Sequence, residues 1–170
     1  MKKYILGMVI GLLYNNAFAY DNDAKAKLYD QTGQPTGEVK FTQQKNGVVV
    51  EVHVSNLPAG FHGFHVHTVG ECIPPFTSAG GHFDLDGHTH RDHTGDLPVL
   101  LVNTNGRAHA VFKTDRFAVA DLFDADGSAV IIHANPDNYA NIPTRYVAAP
   151  DATTLATGDA GARIVCGIVK

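Results

Sequence analysis

The chemistry most visible in this chain comes from a group of histidines. Seven of its ten histidines lie between His62 and His93, most of them in close pairs and triplets, and Asp96 follows shortly afterwards. Imidazole is a very common protein ligand for zinc and copper. The residue types and their spacing therefore predict a transition-metal site.

His65 and His67 form the first part of the predicted site. They stand two residues apart in the apolar segment GFHVH, so on a β-strand both side chains point to one face and can reach one metal ion. His133 ends a second apolar segment, AVIIH. A lone histidine there is more often structural, but beside the pair it is a candidate for a further ligand.

A second group of nitrogen and oxygen donors follows along the chain, formed by His82, His90, His93 and Asp96. Four-coordinate sites with imidazole and carboxylate ligands are typical of zinc. His88, two residues before His90, is an alternative ligand at that position. Neither an HExxH nor a GxSxG motif occurs, so the sequence gives no support for a metalloprotease or a serine hydrolase.

Alternating segments rich in β-branched residues surround these histidines, whereas long helix-type periodicity is absent from the sequence. Turn-forming pairs such as Thr32-Gly33 and Asn46-Gly47 separate the segments. The pattern favours an all-β fold, an antiparallel β-sandwich or barrel of about eight strands. We predict strands at 24–29, 37–42, 47–55, 63–67, 97–102, 108–113, 117–123, 129–133 and 162–169.

Two long segments, 68–95 and 134–161, do not alternate. Long irregular segments inside a compact domain are often functional, and each of these follows a strand that carries a histidine. We therefore predict two functional loops that fold over the same metal site. Cys72 lies in the first loop and Cys166 in the last strand, and an oxidising compartment would favour a disulfide between them.

The first 19 residues have the pattern of a secretory signal peptide. Lys2 and Lys3 precede an apolar run at 4–14, and AFA at 17–19 fits a cleavage site. The run is shorter than the roughly 20 residues that span a bilayer, which disfavours a membrane anchor. We predict a signal peptide at 1–19, a single domain at 20–170, and an exported protein, either periplasmic or secreted.

The composition of the chain is acidic. Its formal net charge is −4, and removing Lys2 and Lys3 with the signal peptide makes it −6. An acidic chain without a run of Lys and Arg argues against a nucleic-acid partner and against an anionic membrane surface.

Several motifs together resemble the copper–zinc superoxide dismutase family, in particular its exported bacterial members. They occur in the family's order and extend over nearly all of the chain beyond the first strands. The long insert at 137–159 also resembles the bacterial members. The motifs are GFHVH at 63–67, AGGHF at 79–83, HTGDLP at 93–98, GDAGAR at 158–163 and CG at 166–167.

The resemblance implies a Greek-key fold and a pair of metal cofactors bridged by one histidine. His82 would hold copper through one ring nitrogen and zinc through the other. The implied copper ligands are His65, His67, His82 and His133. The implied zinc ligands are His82, His90, His93 and Asp96.

The resemblance also implies roles for residues around the metals. Arg163 would attract and orient superoxide, so Arg163 and His82 are the predicted catalytic residues. Cys72 and Cys166 match the family disulfide. Asp137 matches the carboxylate that joins a copper-ligand histidine to a zinc-ligand histidine.

The remaining histidines receive other interpretations. His62 matches a structural histidine of the family, whereas His53 and His109 are interpreted as surface residues on strands. Arg145, in the second long loop, is a further candidate for attracting an anion.

One departure from the family pattern concerns the zinc site. Only two residues separate His90 from His93, where most members have a longer segment. The short connection could shift a ligand to His88 or weaken zinc binding. The presence of both His93 and Asp96 favours a zinc site that is still functional.

The activity implied by the resemblance is the dismutation of superoxide to oxygen and hydrogen peroxide. Two other functions are open from the sequence: a copper-buffering protein, which would not need Arg163, and a β-sandwich in which metal serves stability alone. The sequence leaves the oligomeric state open between a monomer and a homodimer.

Overall fold

The computed structural model describes residues 23–170. The predicted signal peptide at 1–19 lies outside these residues. The regular secondary structure of the described part is almost entirely β, with nine strands and one short α-helix, α1 (Ala152–Thr157). The strands are β1 (Asp23–Asp30), β2 (Pro35–Gln44), β3 (Gly47–Val54), β4 (Gly60–His62), β5 (Phe64–His67), β6 (Leu100–Val102), β7 (Ala108–Thr114), β8 (Ala129–His133) and β9 (Arg163–Ile168).

Seven strands form one curled antiparallel sheet in the order β5-β8-β9-β1-β2-β3-β7, while β4 and β6 form a second small sheet. β1, β2 and β3 are joined by tight turns in which Gly33 and Gly47 have positive φ, as the turn-forming pairs predict. The chain then crosses from β3 to β5 at the far end of the sheet, returns to β7 beside β3, and crosses again to β8 beside β5. These crossovers are the Greek-key connections, so the predicted all-β fold is confirmed.

Alternation along the strands builds the core. In β3, every second side chain is buried, from Val48 to Val54, while Glu51 and His53 face outward. Strand β8 is different because all five of its residues are buried. One face of β8 contacts the core and the other lies under the long loops, so its terminal His133 is held in a dry environment.

Two strand predictions need correction, and one strand was missed. Residues 117–123 are not a strand: Val119–Leu122 form a 3-10 helix whose apolar side chains close the core, with Phe117 packed against Phe41 at 6.1 Å between ring centroids. Strand β6 begins at Leu100 instead of residue 97. The three-residue strand β4 was not predicted, because so short a segment shows no clear alternation.

Within residues 23–170, no helix has the length and apolar character needed to cross a membrane.

Candidate metal centre

Strand pairing brings the first three histidines together. β5 and β8 are adjacent and antiparallel, and the backbone N–H of His133 donates to Gly63 O at 2.8 Å. His65 and His67 both lie on the face of β5 turned away from the main core. The sheet register alone therefore places His133 beside the two histidines of β5.

The first long loop adds the fourth histidine by pairing with β5 along its other edge. Phe83 N–H donates to Val66 O at 2.8 Å, and Val66 N–H donates to Gly95 O at 2.9 Å. These bonds place His82 opposite His67 and Asp96 opposite His65. The result is a buried four-histidine cluster made of His65, His67, His82 and His133.

Each ring of the four-histidine cluster leaves one nitrogen without a hydrogen-bond partner. These buried atoms are Nδ1 of His65 and Nε2 of His67, His82 and His133. Buried polar atoms are rarely left unpaired in proteins, so four of them within 4.8 Å of one another indicate an ion that they share. Four imidazole donors suit copper.

Backbone and carboxylate acceptors hold these rings in the required orientation. The Nδ1–H groups of His67 and His133 donate to the carbonyls of Gly80 and Gly161, both at 3.0 Å. His65 is turned the other way, and its Nε2–H donates to Asp137 at 2.7 Å. A donor bond at one nitrogen leaves the lone pair of the other free for a metal.

A second cluster, the histidine–aspartate cluster, shares one residue with the first. Its four ligand atoms also lie within 4.8 Å of one another. Nδ1 of His90 and of His93 lack hydrogen-bond partners, and each lies close to Asp96 Oδ2, at 3.1 and 3.3 Å. Three imidazoles around one carboxylate suit a zinc ion. The members of this cluster are His82, His90, His93 and Asp96.

His82 lies between the two clusters. Its Nε2 belongs to the four-histidine cluster, and its Nδ1 lies 2.7 Å from Asp96 Oδ1 in the second. Its ring is 4.0 Å from that of His65 and 5.2 Å from that of His90, between centroids. An imidazole with one nitrogen directed into each cluster can bridge two metal ions.

Asp137 provides a second connection between the clusters. One of its oxygens accepts from His65 at 2.7 Å and the other accepts from His90 at 2.8 Å. Gly158 covers this pair with φ +58°, and a side chain at that position would collide with the Asp137 carboxylate and the His90 ring. A single carboxylate thus orients one ring in each cluster.

The short segment between His90 and His93 is accommodated by contacts from elsewhere in the fold. His90 N–H donates to Leu155 O of α1 at 2.7 Å. Arg116 donates from Nη1 to the carbonyls of Arg91 and His93, at 2.8 and 2.9 Å. The structure therefore brings both predicted histidines into the cluster in spite of the two-residue connection.

His88 has a different environment from its neighbour His90. Its side chain is 47% exposed and lies 3.2 Å from Asp84, whereas the His90 side chain is buried. Of the two alternatives at this position, the structure brings His90 and not His88 into the histidine–aspartate cluster.

Arg163 stands beside the four-histidine cluster, opposite His133 across β8 and β9. It donates from Nη1 to Phe76 O at 2.7 Å and from Nη2 to Gly80 O at 2.6 Å. Gly80 O also accepts from His67, so one carbonyl fixes both the arginine and a ring of the cluster. Gly80 has φ +76° and leaves no room for a Cβ beside Thr68.

The predicted disulfide between Cys72 and Cys166 is present and joins residues 94 positions apart, with 5.8 Å between their Cα atoms. It ties the first long loop, which supplies the carbonyls of Phe76 and Gly80, to the strand that carries Arg163. The disulfide therefore helps to hold the Arg163 guanidinium close to its two acceptors, the carbonyls of Phe76 and Gly80.

Burial favours the neutral form of three rings in the four-histidine cluster. Desolvation lowers the pKa of His82 to about 4 and the pKa of His133 to about 3, and it lowers the pKa of His67 well below its usual value. Charge on neighbouring rings adds to the effect. Neutral imidazole is the form that binds metal, so these rings are available as ligands at neutral pH.

The histidine–aspartate cluster has the opposite electrostatics. Burial acts to lower the pKa of His90, but the carboxylates of Asp137 and Asp96 outweigh it and raise the pKa to about 9. The same contacts overcome desolvation in the two carboxyls and hold the pKa values of Asp96 and Asp137 below their usual range. The two carboxylates and the His90 ring each favour the charged form of the other.

Other residues singled out from the sequence take different positions. His62 is buried and its ring nitrogens contact the carbonyls of His133 and Pro58, at 2.7 and 2.9 Å, which is a structural role. Arg145 lies over the ring of Tyr146 at 4.7 Å. Arg116 was not predicted to support the site, since nothing in its local sequence links it to a loop 23 residues away.

Comparisons with known proteins agree with this site. The sequence profile of copper/zinc superoxide dismutase (SODC) matches residues 35–169. The chain is 46% identical over 158 residues to superoxide dismutase [Cu-Zn] of Mycobacterium tuberculosis, covering 82% of this chain and 66% of that protein. It is 34% identical to the Legionella pneumophila superoxide dismutase [Cu-Zn], covering 96% of each.

The fold is also similar to that of solved structures. The Cu/Zn superoxide dismutase from Brucella abortus superposes with a TM-score of 0.71 at 26% identity, covering 87% of this chain and 99% of that one. A Greek-key fold with two clusters joined by a shared histidine defines a bridged two-metal protein. The chain belongs to the copper/zinc superoxide dismutase family.

Proposed function

We propose that this protein catalyses the dismutation of superoxide to oxygen and hydrogen peroxide. Copper would be held by the four-histidine cluster and zinc by the histidine–aspartate cluster, with His82 as the bridge. The observation that carries the proposal is the set of six buried imidazole nitrogens that lack partners and divide between the two clusters, directly beside Arg163. The donor types and their tautomers fit both metals.

In the overall reaction, two superoxide anions and two protons give one O₂ and one H₂O₂. A copper ion in the four-histidine cluster supplies the one-electron couple for this exchange. The protein residues have three other tasks: to bind the anion, to place it, and to deliver protons.

Arg163 is suited to bind the anion. Arginine remains charged at any physiological pH, even though burial lowers the pKa of Arg163 from its usual value. Its bonds to Phe76 and Gly80 fix the guanidinium before substrate arrives. In a protein with net charge −4, such a fixed local cation is what draws in a small anion.

His82 is suited to carry a proton. Its Nδ1 faces Asp96, while its Nε2 faces the four-histidine cluster and can hold a proton whenever it is not a ligand. With zinc bound at Nδ1, the ring would keep its orientation while Nε2 gains and loses that proton.

We also propose that the protein is exported and that residues 1–19 are removed as a signal peptide, leaving one domain at 20–170. The Cys72–Cys166 disulfide supports an oxidising compartment, periplasmic or extracellular. The acidic net charge disfavours nucleic acid and an anionic membrane surface as partners. Sedimentation of the purified protein distinguishes a monomer from a homodimer.

The test combines metal content per chain with superoxide decay, for the purified protein and for Arg163→Ala. We expect one copper and one zinc with high activity, and a variant that keeps its copper but loses most of its turnover. Arg107→Ala removes an exposed arginine elsewhere and serves as the matched control. Copper without activity would support a copper buffer instead, and zinc alone a structural protein. Full activity of Arg163→Ala at low ionic strength would contradict the role of the arginine.

A further inference from the structure

A third group of metal-binding side chains lies on the outer face of the sheet, on strands that do not contribute to the buried centre. His53 of β3 is directly opposite His109 of β7. Glu51 lies two residues before His53 and therefore points to the same face. These two strands are at one end of the sheet order, and β5 and β8 are at the other.

The three side chains lie close together on the surface. The two imidazole rings are stacked, with 4.0 Å between centroids and 16° between planes. Nε2 of His53 lies 2.9 Å from Glu51 Oε1, and Nε2 of His109 lies 3.5 Å from the same oxygen. Three possible ligand atoms thus meet within 4.8 Å at one point of the surface.

The site is accessible, since the side chains of His53, His109 and Glu51 are 50%, 57% and 42% exposed. Stacked exposed histidines repel each other when protonated, whereas a shared metal ion would hold their neutral forms together.

The charge around the cluster also favours a cation. Glu38 lies opposite His53 on β2 and adds a second carboxylate to the same row. Lys40 lies opposite Glu51, but its Nζ pairs with Asp23 at 3.4 Å. The hydrogen bond from His53 lowers the pKa of Glu51, which keeps its carboxylate charged.

We propose that Glu51, His53 and His109 bind a divalent transition-metal ion at the protein surface, in addition to the two ions of the buried centre. Two imidazoles and a carboxylate are typical ligands for Zn²⁺ and Cu²⁺, and Cu²⁺ has the highest affinity of the divalent ions for such donors. Three protein ligands leave further coordination positions to water. The ion at this site is therefore exchangeable, unlike those buried under the long loops.

The test uses the protein with both buried sites loaded, titrated with Cu²⁺ at pH 7.5 and followed by equilibrium dialysis. We expect one more equivalent of copper to bind, with nitrogen couplings in its electron paramagnetic resonance spectrum. His53→Gln and His109→Gln should each remove this equivalent and leave the buried copper and zinc in place. All three side chains are exposed, so these variants keep the core intact.

His88→Gln is the matched control because it removes an exposed histidine outside the cluster. We expect it to keep the additional equivalent. Zinc content measured on the same samples shows whether added Cu²⁺ has displaced buried metal. A wild-type protein that binds no ion beyond the buried pair, or a His53→Gln/His109→Gln double variant that still binds it, would overturn the proposal.

Discussion

The two buried clusters share His82 but are built on different kinds of structure. In the four-histidine cluster, His65, His67 and His133 belong to β5 and β8, and the register of the sheet fixes their separation. In the histidine–aspartate cluster, every member lies in the irregular segment between β5 and β6. Loop donors depend on contacts from other parts of the chain, such as Asp137, Leu155 and Arg116.

This difference has a general consequence for two-metal sites. Donors on paired strands are held in position whether or not a metal is bound, because backbone hydrogen bonds determine their spacing. Donors on a loop must be ordered when the metal binds, and the conformational entropy lost in this step lowers the observed metal affinity. We therefore expect the four-histidine cluster to be the more preorganised of the two.

The largest effect is expected from His67→Ala. It removes a direct ligand. Loss of a residue that only hydrogen-bonds to a ligand already costs about 10–100-fold in metal affinity. We expect copper content and superoxide decay to fall by at least about a hundredfold, while zinc content stays close to that of the wild type. The control is His88→Ala, which should change neither. Copper retained at wild-type level in His67→Ala would refute the assignment of that ring.

A smaller effect that discriminates between the clusters is expected from Asp137→Asn. The variant cannot accept from both His65 and His90 as the carboxylate does. Zinc affinity should fall by about 10–100-fold, and copper affinity less, because β5 still positions His65. Competition with a chelator measures both affinities, and Asp124→Asn removes an exposed carboxylate as the control. If copper affinity fell more than zinc affinity, the four-histidine cluster would be the less preorganised of the two.

Arg116→Gln should affect the loop cluster alone. It removes the two hydrogen bonds that Nη1 donates to Arg91 and His93. Two hydrogen bonds at about 1 kcal/mol each amount to about 2 kcal/mol, so we expect zinc affinity to fall by roughly thirtyfold. Copper affinity should not change. The same chelator competition on Arg107→Gln is the control. If Arg116→Gln lowered the copper and zinc affinities equally, the loop would not be separately supported by Arg116.

The smallest effect concerns pH. In the metal-free protein the pKa of His90 is raised to about 9, so at pH 7.5 the ring holds a proton that zinc must displace. Apparent zinc affinity should rise with pH up to about 9, by at most roughly tenfold per pH unit. For copper bound alone, His82 and His133 are already neutral above pH 6 because their pKa values are lowered, and they add no such dependence. His82 gives up its remaining N–H proton only when both metals share it, so each metal is titrated separately into metal-free protein. Calorimetry in buffers of different ionisation enthalpy measures the number of protons released when each metal binds. Equal proton release by zinc and copper would contradict the predicted difference between the two clusters.

The sequence is informative about the fold where residues alternate over a long stretch. The strand pairs β1–β2 and β2–β3 follow from alternation and from their turn glycines, Gly33 and Gly47. Residues 117–123 show the limit: their apolar residues are buried as expected, yet the backbone is a 3-10 helix, since burial of apolar side chains does not require a strand.

The candidate site was predictable as a set of residues but not as a set of atoms. Ligand types and spacing are enough to group His65 with His67. Which nitrogen each ring directs inward depends on distant acceptors, and His65 differs from His67 only because Asp137 lies behind it. The choice of His90 over His88 likewise depends on Leu155, 65 residues further along the chain, through a backbone bond that no local pattern encodes.

The most direct test of the bridged site is a crystal structure of the copper- and zinc-loaded protein, with anomalous diffraction recorded at the absorption edge of each metal. We predict a copper peak among His65 Nδ1 and Nε2 of His67, His82 and His133, and a zinc peak among Nδ1 of His82, His90 and His93 with Asp96. Separate ions that do not share His82, or zinc held by His88, would contradict the account.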